Sequence, residues 1–230
     1  MNAFGFGKKT GLKLPGESRG ILRSPSRWSK VDGSMMSFGQ GVAVTSLQMA
    51  SAIACIANNG KCMQPRIINY VANADFTTQK AEPVIMKRQV IGSKTAQQVT
   101  QIMVGVVENG TATNIKSSQY SIAGKTGTCQ INYWKRKEGE LKSYNASFVG
   151  FFPANNPKYS CIVVINDPKE NGFYGAIVAA PVFKEIADKV FAYDLDLHEV
   201  FISKENNNLP YTKNGNNRDV QIVFNELDIP

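Results

Sequence analysis

Residues 123–130 read Ala-Gly-Lys-Thr-Gly-Thr-Cys-Gln, AGKTGTCQ. The run places a cation, two threonines and two glycines inside an otherwise apolar, strand-like setting. Three readings compete: a basic loop, a phosphate cradle and one wall of an enzyme cleft. A phosphate cradle needs G-x-x-x-x-G-K-[ST] between a strand and a helix. Gly124, Lys125 and Thr126 supply its last three letters, but Gln119 stands where the opening glycine belongs. Another strand-like run follows, where a cradle requires a helix. The surviving reading is a lysine on a strand edge that faces a cleft. Gly124 and Gly127 let a ligand backbone lie close against such a strand. Lys125 sets a positive charge beside it. Thr126 and Thr128 can bond an incoming carboxylate or carbonyl, and the edge N–H groups can hold an oxyanion. The set suits acyl transfer on a peptide with a free carboxylate.

The flanking sequence places this strand in a fold. Ser121–Ile131, Ser143–Phe152 and Tyr159–Asn166 are three strand-like runs. The charged segment NYWKRKEGELK separates the first two and reads as a hairpin tip; PANNPK separates the second pair. Two helices precede them. VTSLQMASAIACIANNG has Thr45 as N-cap, Gln48 completing a capping box and Gly60 as stop. Ser93 caps the second, which runs to about Glu108 with Val99, Ile102, Met103, Val106 and Val107 on one side. Short strands are expected over Pro65–Val71 and within Glu82–Ile91. GAIVAAPVFKEIADKVF reads as a closing helix in which Pro181 marks a kink or an early turn. Helices and adjacent antiparallel strands in this order give an α+β fold, an antiparallel sheet covered by helices. Residues 1–40 are rich in Gly, Pro and Ser and read as ordered loop. Residues 1–193 form the main domain. Residues 194–230 form a polar linker, followed by the start of an extension in which Asp219 caps a short amphipathic helix.

Composition narrows the function classes. The chain has 230 residues, 43% hydrophobic and 19% charged, enough for a sizeable core. Net charge is +8. A positive charge speaks to solubility or an anionic partner rather than fold. No basic stripe interleaved with aromatic residues occurs, so nucleic acid is not an expected partner. One histidine, His198, and no C-x-x-C pair give no basis for a zinc site, and neither a metal nor a cofactor is expected. Cys55 and Cys161 sit in apolar runs and read as small buried side chains. A Cys55–Cys62 bridge stays open but has no support in the sequence, so cysteine usage does not fix the compartment. No run of 18 apolar residues occurs.

Lys125-Thr126-Gly127 matches the K-T-G box of penicillin-binding proteins and serine β-lactamases. Three letters are weak by themselves. FGFGKKTGLKLPGE, SFGQGVAVTSLQMASAIACIANNG, GTAT, AGKTGTCQ, ASFVGFFPANNPKYSCIVVI and YGAIVAAPVFKEIA occur in that order. Together they resemble the C-terminal half of the transpeptidase domain of class B penicillin-binding proteins, over residues 3–192. The resemblance implies a penicillin-binding transpeptidase-like fold. It implies a peptidoglycan D,D-transpeptidase that cross-links stem peptides by serine acyl transfer and binds penicillin. On that resemblance Lys125 and Thr128 are catalytic. Lys125 serves proton shuttling and electrostatics, and the Thr128 N–H forms half of an oxyanion hole. Thr126, Gly127 and Thr128 bind substrate, the two threonines taking its carboxylate and Gly127 keeping the strand open. Cys129 departs from the small apolar residue of the family and is expected to point into the core. Tyr174 and Gly175 resemble the loop that borders the cleft, although a plain structural turn reads equally well. The implied partners are peptidoglycan stem peptides, β-lactams and the cell-wall or division machinery. The implied place is the outer side of the bacterial inner membrane, reached by an anchor that this chain does not contain.

One part of the family pattern is missing. No lysine has a serine three residues before it, so the chain carries no S-x-x-K. The only S-x-N is Ser143-Tyr144-Asn145, which follows the K-T-G strand and reads as coincidence. Without its nucleophile an acyl-transfer site keeps only binding and oxyanion groups. The abrupt start at MNAFGFG supports the expectation of a piece of a larger enzyme, inactive by itself. The competing readings are a non-catalytic scaffold or remnant, and a β-lactamase or sensor relative.

Overall fold

The computed structural model describes residues 1–12, 14–75, 77–80, 85–131, 142–170, 172–198, 222 and 225–226. Met1–Leu195 forms one compact unit and Asp196–Pro230 a second. The described residues 222, 225 and 226 of the second unit are helical. The Asp219 cap and the hairpin tip between the first two long strands lie outside the described residues.

Elements follow in the order α1 (Asp32–Ser37), α2 (Ser46–Ala57), β1 (Lys61–Met63), β2 (Tyr70–Ala72), β3 (Thr78–Lys80), β4 (Met86–Gln89), α3 (Ser93–Glu108), β5 (Ala123–Gln130), β6 (Tyr144–Phe152), β7 (Tyr159–Asn166), α4 (Gly175–Val178) and α5 (Ala180–Tyr193). The described strands form a three-stranded antiparallel sheet ordered β5-β6-β7 and two antiparallel pairs, β1-β4 and β2-β3. Of the strand expected over Pro65–Val71 only Tyr70 and Val71 are strand: β1 ends before Pro65 and β2 begins at Tyr70. Proline lacks the N–H that a ladder needs, so it falls between them. The strand expected within Glu82–Ile91 is β4.

α2 begins as the sequence implies. The Thr45 hydroxyl accepts from the Gln48 N–H, and the Gln48 side chain accepts from the Thr45 N–H. Gln48 also ties the N-terminal segment to α2; of that segment, read from sequence as loop, Asp32–Ser37 is helical. The Gln48 side chain is buried, and its amide donates to the Lys8 carbonyl at 2.7 Å and the Arg19 carbonyl at 2.9 Å. One capping residue thus pins the loop-rich segment onto α2. The helix ends at Asn58, two residues before the expected Gly60. Asn59 adopts φ 52°, and the Gly60 N–H bonds back to the Cys55 carbonyl at 2.8 Å. That is a Schellman stop with Asn in the left-handed position. Cys55 is not a lone buried thiol: it is bridged to Cys62 of β1. The bridge ties the end of the helix to the strand that follows.

α3 starts one residue earlier than expected, with Gly92 as N-cap and Ser93 inside the helix. Ala96, Met103 and Val107 are its buried residues, whereas Ile102 is 70% exposed and faces away from the core. Pro181 lies in the first turn of α5, where its missing N–H costs nothing. A short helix, α4, precedes it, so the closing helix is two pieces.

The sheet carries a different layer on each face. Alternate residues of a strand point to opposite sides. Ala123 of β5 and Phe151 of β6 pack with Ile53 of α2 and Met103 of α3. On the opposite face Phe148 and Phe152 of β6 meet Phe183 of α5, with ring centroids 4.8 and 5.9 Å apart. Phe148, Phe151, Phe152 and Phe183 are all fully buried. Each such ring contributes about 1.5–3 kcal/mol of transfer free energy, so these four define the sheet's position. Tyr120 joins the entry of β5 to α5. Its ring stacks on Phe191 at 4.6 Å, and its hydroxyl donates to Asp188 at 2.7 Å.

Candidate active site

The register fixes what the edge of β5 offers. Ala123–Gln130 pairs with Tyr144–Phe151 of β6, Gly127 standing opposite Ser147. Just beyond the strand, Ile131 donates to the Ser143 carbonyl at 2.8 Å. In an antiparallel ladder the inward N–H groups alternate with outward ones. Odd-numbered residues of β5 therefore bond to β6. The N–H groups of Gly124, Thr126, Thr128 and Gln130 point to the other side, where no further strand pairs among the described residues. A free edge with two threonine N–H groups is the donor array that an oxyanion or an extended peptide requires.

Side chains alternate in the same way. Lys125, Gly127 and Cys129 project to the α2/α3 face, and Gly124, Thr126 and Thr128 to the α4/α5 face. Lys125 is exposed, and its ammonium donates to the Thr126 carbonyl at 2.9 Å. The Thr126 hydroxyl lies 3.1 Å from that of Thr111, in the GTAT stretch after α3. The Thr128 hydroxyl accepts from the Gly175 N–H at 3.1 Å. Gly175 is the tightest point of the site. A Cβ there would overlap the Ser147 and Gly127 carbonyl oxygens. Only glycine lets α4 come down onto the β5–β6 ladder. At Gly127 a Cβ would meet the Ser147 hydroxyl at 2.5 Å, so a side chain there requires Ser147 to rotate away.

Lys125, Thr126, Gly127 and Thr128 thus lie together at the open edge. Tyr174 is exposed and Gly175 buried beside Thr128, so this turn does border β5. Cys129 differs from the expected core position: it is half-buried, with its sulfur near the Gln40 side-chain amide. Here the SFGQG loop passes the end of β5. Together they line a groove of about 660 Å³ whose walls include Ile21, Arg23, Val42, Gln130 and Asn145. Thr111 and Asn114 escaped sequence reasoning as site residues. GTAT entered only as one of the ordered family motifs, and nothing in it or in the Asn114 that follows signalled contacts with β5 and the 175–176 turn.

Residues 1–188 match the penicillin binding protein transpeptidase domain family, and the chain belongs to that family. It is similar to the stage V sporulation protein D of Bacillus subtilis, 37% identical over 186 residues, covering 80% of this chain and 28% of that protein. It is 34% identical to the probable peptidoglycan D,D-transpeptidase PenA of Neisseria flavescens, over 79% of this chain and 42% of that one. Among solved structures, penicillin binding protein 3 of Mycobacterium tuberculosis complexed with aztreonam superposes with a TM-score of 0.72 and 33% identity, over 83% of this chain and 44% of that chain. The chain therefore spans less than half the length of each of these relatives. The α+β arrangement of antiparallel sheet and helices is that of these transpeptidase structures.

Proposed function

We propose that this chain is the substrate-carboxylate and oxyanion wall of a peptidoglycan D,D-transpeptidase. The observation that carries the reading is the free edge of β5, where the Thr126 and Thr128 N–H groups face outward beside two threonine hydroxyls and the Lys125 ammonium. Relatives named as D,D-transpeptidases support the reaction class. In that reaction a serine Oγ attacks the penultimate D-alanyl carbonyl of a stem peptide. The C–N bond to the terminal D-alanine breaks, and the departing amine takes a proton. The amine of a neighbouring stem then attacks the ester, forms the cross-link and returns the serine hydroxyl. In this chain the Thr128 N–H would hold the carbonyl oxygen as it gains charge. Thr126 and Thr128 would hold the terminal carboxylate, and Lys125 would favour negative charge and pass protons at the serine.

The serine itself is absent from this sequence, so the chain alone is proposed to bind and not to acylate. β-Lactams carry the carboxylate and reactive carbonyl of the same substrate class and are proposed ligands of the same edge. The structure of the mycobacterial relative with ampicillin supports this. The buried Cys55–Cys62 bridge supports placement in an oxidising compartment outside the inner membrane, beside the cell-wall or division machinery. The test is an NMR titration of the isotopically labelled chain with diacyl-lysyl-D-alanyl-D-alanine and its L,L counterpart. Shifts centred on the Thr126, Thr128 and Gln130 amides and selective for the D,D peptide are expected. Equal response to both peptides, or shifts centred elsewhere, contradicts the reading.

A further inference from the structure

We propose that Asn114 is a positioning residue for the β5 wall, fixing the direction in which the Thr128 hydroxyl donates. This rests on the reading of β5 as a carboxylate-binding wall. Asn114 sits in the single 3-10 turn Thr113–Ile115 that leads from α3 to β5. The turn is anchored on both sides of it, by Ala112 and Ile115, which are fully buried. From this fixed base the Asn114 side-chain amide donates to the Ala176 carbonyl at 2.8 Å. Ala176 follows Gly175, whose N–H donates to the Thr128 hydroxyl. Three residues before Asn114, Thr111 meets the Thr126 hydroxyl. One short segment therefore holds both threonines of the wall: Thr126 directly, and Thr128 through the 175–176 turn.

The chemistry of a hydroxyl gives this frame its consequence. A threonine has one proton to donate and two lone pairs to accept with. The Gly175 N–H occupies a lone pair of Thr128 and leaves the O–H proton for another acceptor. A carboxylate arriving at the free edge is such an acceptor. The direction of that proton depends on where Gly175 sits. Tyr174 and Ile177, its neighbours, are 55% and 50% exposed; on the N-terminal side the turn is held by the Tyr174 ring against Phe173, which stacks on Tyr144 of β6 at 4.1 Å. The Asn114 bond adds a polar tie on the other side, at the carbonyl of the residue after Gly175.

Two variants separate donation from shape. Asn114→Asp keeps the outline of the side chain but sets a carboxylate against the Ala176 carbonyl; Asn114→Ala removes the group. Amide hydrogen exchange is read by NMR at Gly175, with Phe148 and Val163 in the sheet interior as references. Exchange at Gly175 is expected to quicken about tenfold in both variants while the references hold, the loss of one hydrogen bond's net contribution. Affinity for the D,D peptide should fall about fivefold in both, as expected for an indirect effect smaller than the bond itself. Wild-type exchange at Gly175 in Asn114→Asp overturns the proposal. Equal acceleration at all three amides also overturns it, because Asn114 would then act on global stability alone. If the unmodified chain binds no D,D peptide, the reading of β5 falls. The Gly175 exchange then still decides whether Asn114 holds the turn.

Discussion

At the scale of single residues, the site depends on atoms that are absent. Gly175 and Gly127 occupy places where a methyl group would strike backbone carbonyls or the Ser147 hydroxyl. Gly175→Ala must therefore push α4 off the ladder and break the bond to Thr128. A loss of about 1–3 kcal/mol in urea unfolding is expected, as for other overpacked sites. The Gly175 amide should also lose its protection from exchange. A variant as stable as the unmodified chain would show that the turn relaxes freely and that the close contact is unimportant. The letters K-T-G made the strand itself legible, because a lysine and a threonine between glycines, with a second threonine after them, have few other uses on a strand. Asn114 was not legible. Its role comes from a contact with a carbonyl 62 residues away, and no local pattern encodes that. Cys129 was misplaced for a related reason: the parity of β5 sends it to the same face as Lys125, where the SFGQG loop, not the core, lies opposite.

At the scale of elements, the sequence signals with a local cause were reliable. The Thr45–Gln48 box and the three long strands appear where periodicity and capping place them, and α3 does so with its cap one residue earlier and Ile102 turned outward. Proline position also marked the start of α5. The short pairs β1-β4 and β2-β3 were legible only in part, since three- and four-residue strands carry too little alternation to fix their ends. The contact between α5 and the entry of β5 adds a pH dependence. Burial favours the neutral form of Asp188, but hydrogen bonds from Lys184 and Tyr120 outweigh it and hold the carboxyl below the usual range. A carboxyl depressed in the folded state stabilises the fold above its unfolded pKa of about 3.9 and loses that contribution as pH falls through the folded value. Thermal melts of the wild type and Asp188→Asn should therefore differ above about pH 4 and converge below it. A constant difference across pH 3–6 would mean that the Asp188 charge contributes nothing.

At the scale of the molecule, what the chain holds is as informative as what it omits. It belongs to the penicillin binding protein transpeptidase domain family over residues 1–188 and spans 28% and 42% of two curated relatives. The family was legible from the ordered series of motifs, several of which converge on β5. SFGQG reaches its end, GTAT reaches Thr126, and the turn at Tyr174–Gly175 reaches Thr128. The convergence itself was not legible, because it depends on sheet order and strand parity. The bridge between Cys55 and Cys62 was also undecided by spacing, since it requires α2 to stop with Asn59 in the left-handed conformation and turn straight into β1. The proposal on which the rest depends is that this chain presents the binding wall of a transpeptidase site, in a sequence that carries no S-x-x-K. Incubation with a fluorescent penicillin, followed by denaturing electrophoresis, tests it most directly. No labelled band is expected at 25.2 kDa. A labelled band at that mass, surviving denaturation, would contradict it by showing that some nucleophile of this chain completes the acyl transfer.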